Sequence, residues 1–287
     1  MALSPVNVIA NAVMISALYA LVAIGFTLIF GVGGVLNLAH GATLTVGAIT
    51  AYYVAEVFGL GIVLGTVGAM VVPAVFAGAL YLGLIRRVED DPITVMILSL
   101  VTAIAVEEFI KLLVGTQPVA IPSLLSGQLA VAGGVQMNRV LVFVLSWVLI
   151  GLLFVVVNYT RTGKAILATS MSTKGAALVG IESERMYLIT WVLAGAFAGL
   201  AGVFLGSIQT ATWDMGRTPL VLSFSIVVLG GIGSIRGSLV GAYVIGFLET
   251  MTTSYVDSSL SGLASLVVLV LILLVRPEGL FGREFTE

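Results

Sequence analysis

Long apolar runs separated by short polar breaks make up almost the whole chain, and most approach the ~20 residues a helix needs to cross a bilayer. They lie at about 6–30, 41–57, 60–85, 93–115, 139–158, 186–206, 219–233, 238–256 and 261–275. Every backbone N–H and C=O in hydrocarbon needs an internal partner, so runs of this length predict helices; a barrel would show short alternating strands. The pattern predicts an all-α polytopic transmembrane bundle of about 8–10 membrane helices, nine on this division, in one domain spanning 1–287. The first run lacks a basic flank and an evident cleavage site, and reads as a retained helix.

The longest polar interruption is Arg161–Arg185, RTGKAILATSMSTKGAALVGIESER. It carries Arg161, Lys164, Lys174, Glu182, Glu184 and Arg185. Charges at a bilayer centre cost roughly 2.5–3.5 kcal/mol each, so this stretch belongs outside the membrane. Leu167, Met171 and Leu178 recur at spacings of four and seven, which gives a short helix one apolar side, while Gly163, Gly175 and Gly180 divide the stretch into pieces. Such a segment is a surface for another protein; a plain solvated loop is the alternative.

Alternating the nine runs from an outside N-terminus places Arg86, Arg87, Arg161, Lys164, Lys174, Arg185, Arg236, Arg276 and Arg283 in the cytoplasm, against Lys111, Arg139 and Arg217 elsewhere. The excess of basic residues on one side sets the orientation. The loop 159–185 is then cytoplasmic, and the segment 116–138 and the short Gln209–Arg217 stretch are external.

Composition narrows the function classes. Hydrophobic residues are 60% of the chain, charged residues 9%, and the mean hydropathy of +1.20 excludes a soluble globular domain. With no cysteine there is no disulfide or thiolate metal site, and a net charge of -2 spread over loops gives no nucleic-acid signal. No glycine-rich loop ends in Gly-Lys-Ser/Thr, so any ATP is hydrolysed by a partner. No nucleophile, base and orienting group come together in the pattern, which leaves no catalytic residues, no metal site and no cofactor to assign. His40 is the single histidine and reads as structural, with no second histidine or nearby carboxylate to complete a metal site.

Two glycine-rich stretches interrupt the apolar pattern, Gly31–Gly47 (GVGGVLNLAHGATLTVG) and Leu229–Gly246 (LGGIGSIRGSLVGAYVIG). Both predict broken helices, near 31–41 and 229–238, and their likeness hints at an internal repeat of the kind that marks a transport pathway. Glu107, Glu108 and Lys111 are the clustered charges of the fourth run, and the four-residue spacing lets Glu107 and Lys111 neutralise each other at its outer end. Gly195, Gly199 and Gly202, among Ala194, Ala196, Ala198 and Ala201, suit the sixth run to the centre of a bundle or to a subunit interface.

Three stretches taken together carry a family resemblance: GFTLIFGVGGVLNLAHGA (Gly25–Ala42), GKAILATSMSTKGAALVGIESERMYLITWVLAGAFAGLAGVFLG (Gly163–Gly206), and VLGGIGSIRGSLVGAYVIGFLE (Val228–Glu249) with the terminal RPEGLFG (Arg276–Gly282). The chain resembles permease subunits of the branched-chain amino-acid (Liv-type) ABC importers over nearly its whole length. The family's Asn-Phe-Ala-His-Gly pattern stands here as Asn37-Leu38-Ala39-His40-Gly41, without the aromatic, and Glu107-Glu108 replaces uncharged polar residues.

The resemblance implies a prokaryotic inner-membrane importer assembled from two permease subunits (a second copy or a paralogue), two cytoplasmic ATP-binding subunits and an extracytoplasmic substrate-binding protein. It implies that Leu167–Ile181 is the coupling helix seated on the ATPase, with Leu167, Met171, Lys174, Gly175, Leu178 and Gly180 at the contact. Asn37, His40, Thr43 and Thr45 are then candidates to line a weakly polar pathway for branched-chain or similar small amino acids. Urea or short amides, and an ion-coupled secondary carrier, are the alternatives.

Overall fold

A computed structural model describes residues 5–129, 134–276 and 279–281. Arg283, and Pro277, Glu278 and Gly282 of the terminal RPEGLFG stretch, lie outside the described residues. Among the described residues the chain forms eleven α-helices: α1 (Pro5–Gly33), α2 (His40–Tyr52), α3 (Gly61–Gly83), α4 (Pro92–Val114), α5 (Met137–Tyr159), α6 (Arg161–Met171), α7 (Thr173–Leu178), α8 (Ser183–Ile208), α9 (Arg217–Gly230), α10 (Ile235–Tyr255) and α11 (Leu263–Val275). Two short antiparallel strands, β1 (Gln128–Leu129) and β2 (Val135–Gln136), are the only regular β-structure among these residues.

All nine apolar runs are helical, but they are not nine equal crossings. Five of the helices, α1, α3, α4, α5 and α8, are long and apolar enough to span a bilayer alone. α9 and α10 form one pair bent by 120° at the second glycine-rich break. α2 gains length from a π-helical turn over Tyr53–Val57, and α11 has 13 residues.

α1 and α8 form the centre and are buried along most of their length, whereas α3, α4, α5 and α11 turn rows of exposed leucines, valines and isoleucines outward, as lipid-facing helices do. The small residues of α8 allow this. Gly199 lies against Gly47 of α2 and Ala69 of α3, Gly202 against Leu44 of α2, and Gly195 against Pro73 and Ala77 of α3, with no room at any of them for a Cβ. Of the two roles the sequence allowed for this helix, the bundle centre is the one observed.

The loops segregate to two ends. At one end Gly33, Glu89, Asp90, Thr173 and Ser183 wall a common cavity of about 180 Å³, and the second break touches the end of α1 there, with Gly233 against Gly31. At the other, Val119 and Ala211 exchange two backbone hydrogen bonds of 2.8 and 2.9 Å, and Asn138 donates to the Ser207 carbonyl at 3.0 Å.

Local chemistry starts and stops the helices. Asp91 caps α4 by accepting from the N–H groups of Ile93 and Thr94, with Pro92 behind it, and Gly115 ends the helix at φ +76°. Hydrogen bonds, the Thr94 hydroxyl's first, hold the Asp91 carboxyl below its ordinary range. The cap is therefore complete above the ordinary aspartate pKa and fades as pH falls through the lowered one.

The break between α1 and α2 is irregular backbone held by side-chain and backbone partners. Ser99 of α4 accepts from the Leu38 N–H at 3.0 Å, Asn37 Oδ1 accepts from the Ala39 N–H at 3.0 Å, and Gly34 turns at φ +65°. Irregular backbone at membrane depth survives only with such partners. The second break receives its partners from the chain end: the N–H groups of Leu280 and Phe281 donate to the Leu229 and Gly230 carbonyls that end α9.

α1 and α10 are also joined by the buried hydroxyls of Thr27 and Ser238, 2.6 Å apart. Thr27→Val leaves one hydroxyl without this partner and is expected to destabilise by about 1–2 kcal/mol, whereas adding Ser238→Ala returns part of the loss. Thermal unfolding of the purified single and double variants checks the asymmetry.

Candidate functional site

Three places concentrate polar or apolar groups in positions that packing alone does not require. The first is the α6–α7 surface. Thr160 caps α6 by accepting from the Gly163 N–H, and Ser172 both ends α6 and caps α7 by accepting from the Gly175 N–H. The expected single helix carrying Leu167, Met171 and Leu178 is therefore two helices, because the Ser172 cap restarts the backbone between them.

Gly163 does not divide the segment. It sits inside α6, where a Cβ would strike the Val156 and Val157 carbonyls of α5, and this fixes α6 against the bundle. Gly180, at φ +81°, does end the α7 region. Ile166, Thr169 and Ala176 face inward, while Leu167, Met171, Lys174, Gly175, Leu178 and Gly180 are all exposed. Leu178 is 89% exposed and Met171 73%, on helices far too short and too polar to face lipid.

The second place is the first break. Asn37 is buried in the break, and His40, Thr43 and Thr45 are buried at the start of α2. His40 Nε2 lies 3.1 Å from the Val22 carbonyl, and its ring meets Phe26 edge-on. Thr43 donates to the Ala39 carbonyl, and Thr45 donates to the Gly41 carbonyl while accepting from the Gly216 N–H. None of the four lines either of the two cavities described here.

The third place surrounds the turn between α8 and α9, at the end remote from α6 and α7. Glu107 does not pair with Lys111, as the four-residue spacing suggested. Glu107 turns into the bundle and takes a bidentate bond from Arg217, 2.7 Å at its shortest, while Lys111 pairs with Glu108 at 3.4 Å. The burial of Glu107 decides this, because α9 brings the guanidinium to it and Lys111 stays at the rim. Trp213 stands between the two cations, 4.8 Å from Lys111 and 4.9 Å from Arg217.

Next to this cluster opens a cavity of about 450 Å³, walled by Tyr19, Leu205, Gln209, Thr210, Thr212, Asp214, Met215, Arg217, Thr218, Pro219, Leu222 and Ser261. Sequence reasoning treated 209–217 as a short external link and missed it. It also passed over Glu249, a carboxylate inside an apolar run that the rule applied to Glu107 would have flagged. Glu107→Ala is expected to destabilise by about 1–2 kcal/mol, less than for a fully buried pair, since Arg217 is 57% exposed and water can replace part of the loss. Thermal unfolding in detergent measures this.

Fold and surfaces together define an all-α, multi-pass membrane protein with an exposed apolar face at one end and a charged cavity near the other. The chain belongs to the family described as branched-chain amino acid transport system / permease component, whose model matches residues 8–275. It is similar to the high-affinity branched-chain amino acid transport system permease protein LivH of Escherichia coli K12, with 29% identity covering 96% of this chain and 95% of the relative. The permease BraD of the corresponding system of Pseudomonas aeruginosa gives 29% over the same shares. A probable branched-chain amino acid transport permease LivH of Methanocaldococcus jannaschii gives 28% over 98% of this chain and 93% of the relative. No solved structure matches the chain.

Proposed function

We propose that this chain is the permease subunit of an ATP-driven importer that moves branched-chain or similar small amino acids handed over by an extracytoplasmic binding protein. It acts as one permease domain with a second permease subunit and two cytoplasmic ATP-binding subunits in the inner membrane, its N-terminus outside and its C-terminus in the cytoplasm. The observation that carries this reading is the exposed apolar and basic face of α6 and α7. Leu167, Met171, Lys174, Gly175, Leu178 and Gly180 crowd it, at the end where Arg86, Arg87, Arg161, Lys164, Arg185 and Arg236 also gather. An amphipathic surface outside the bilayer with no partner among the described residues calls for one.

In this account ATP binding draws the two ATPases together, each carries an α6–α7 face with it, and α6 passes the movement to α5 through the close seat of Gly163. The permease breaks no bond; it alternates between two openings. Asn37, His40, Thr43 and Thr45 are proposed as gate elements, closed here and brought to the pathway when the α1–α2 break opens. Glu107 is neutralised by Arg217, which favours ATP coupling over a proton relay through this carboxylate.

The test is reconstitution of the chain with its ATPases and binding protein in vesicles. ATP-dependent accumulation of leucine, isoleucine or valine is the expected result. Accumulation of urea or acetamide in their place, or ion-driven uptake by the chain alone, contradicts the reading.

A further inference from the structure

The cavity at the turn between α8 and α9 carries both signs of charge and an apolar wall. Arg217 spends Nε and Nη2 on Glu107, while Nη1 has no hydrogen-bond partner among the described residues and the side chain stays half exposed at the cavity. Asp214 accepts from the Thr212 hydroxyl on Oδ1 at 2.8 Å, and its Oδ2 has no such partner. Thr218 and Pro219 belong to the first turn of α9, whose N-terminus adds a partial positive charge on the same side as Arg217. Leu205, Met215 and Leu222 form the apolar part of the wall.

The turn that presents these charges is fixed from behind. Gly216 packs so tightly on Gly41 that a Cβ on either would strike the other's carbonyl, and its N–H donates to Thr45 at 3.1 Å. A separate observation lies behind the lining residue Ser261. Glu249, 3% exposed, accepts from the Ser261 hydroxyl at 2.6 Å and the Gly262 N–H at 2.8 Å on one oxygen, while its other oxygen is buried without a partner. A second negative group, with acceptor capacity unused, thus stands directly behind the wall residue Ser261.

We propose that this cavity is a transit site for a free α-amino acid, recognised as a zwitterion. The carboxylate is taken by Arg217 Nη1 and the first turn of α9, the ammonium by Asp214 with the field of Glu249, and an aliphatic side chain lies toward Leu205, Met215 and Leu222. The inference rests on the reading of the chain as an amino-acid permease and adds the group recognised and the residues that do it. Opposed charges suit a zwitterion and give urea or a simple amide nothing comparable, because each leaves a charged group without its counterpart. A volume of about 450 Å³ lies within the range of roughly 300–1,000 Å³ common to small-molecule sites.

The test uses the full chain assembled with its ATPases in lipid discs, without the binding protein, and measures equilibrium binding of tritiated leucine. Isocaproate lacks the ammonium and isoamylamine lacks the carboxylate. The expected result is saturable leucine binding, with competition by either analogue about tenfold weaker than by leucine itself, and none by urea. Asp214→Asn is expected to weaken leucine about tenfold while leaving isocaproate unchanged, a split that loosening of the turn would not produce. Equal leucine affinity in wild type and Asp214→Asn overturns the proposal. So does absence of leucine binding in a complex that still imports leucine once the binding protein is added; importer function then stands and the site falls. A complex that imports no amino acid at all removes both.

Discussion

Leu178→Asp and Lys174→Glu are expected to abolish ATP-driven uptake while leaving the chain folded and in the membrane. Leu178 is 89% exposed and Lys174 is on the same open face, so neither change disturbs packing within the chain; surface substitutions of this kind stay within about ±0.5 kcal/mol of wild-type stability. A buried apolar anchor at a protein interface is a different matter. Truncating such an anchor costs about 2–4 kcal/mol, roughly 30- to 1,000-fold in affinity, and a carboxylate in its place adds an unpaired charge. The inward side of α6 supplies the contrast: Ile166→Asp buries a charge against the bundle and is expected to lower the amount of folded protein itself. Vesicle uptake, ATPase activity and the thermal midpoint, measured together, separate the two classes. Full uptake in both surface variants contradicts the docking role.

Gly199→Leu is expected to have the largest effect on folding. Its Cα faces Gly47 on one side and Ala69 and Pro73 on the other, and even a methyl group would meet the Ala69 carbonyl and come within 2.6 Å of Pro73. The collision is with the Ala69 carbonyl and the rigid Pro73 ring of α3, so no rotamer relieves it and α8 must move away from α3. Overpacking costs about 1–3 kcal/mol where side chains can shift, and this site lies at or beyond the upper end. Gly151→Leu on α5 is the control, since nothing lies within 4 Å of the position. Membrane abundance and thermal midpoint are expected to fall sharply for Gly199→Leu and to hold for Gly151→Leu.

Gly199 shows what was legible in the sequence. The hydrophobic period and the small-residue spacing of Gly195, Gly199 and Gly202 located α8 and its central place, because both are local patterns with a packing consequence. The two glycine-rich breaks were legible for the same reason, though not that Gly31 would meet Gly233. Pairing across the fold was not legible. Helical spacing offered Lys111 to Glu107, and only the tertiary approach of Arg217, at the start of α9, gives Glu107 its partner.

The division of the 161–178 segment at Ser172 was hidden by apolar spacing that runs through it, while the capping hydroxyl carried the signal. Run length also did not reveal that α9 and α10 form one bent pair or that α11 is short. The cavity beside Asp214 and Arg217 is assembled from α1, α8, the link to α9, α9 itself and the turn before α11, which no window of sequence brings together.

Affinity purification of the tagged chain, mildly solubilised from its native membrane, tests the central claim most directly. The account predicts that a pair of ATP-binding subunits and a second permease come down with it, and that the ATP-binding subunits are lost from Leu178→Asp and Lys174→Glu preparations. A chain that purifies alone and carries substrate alone contradicts it.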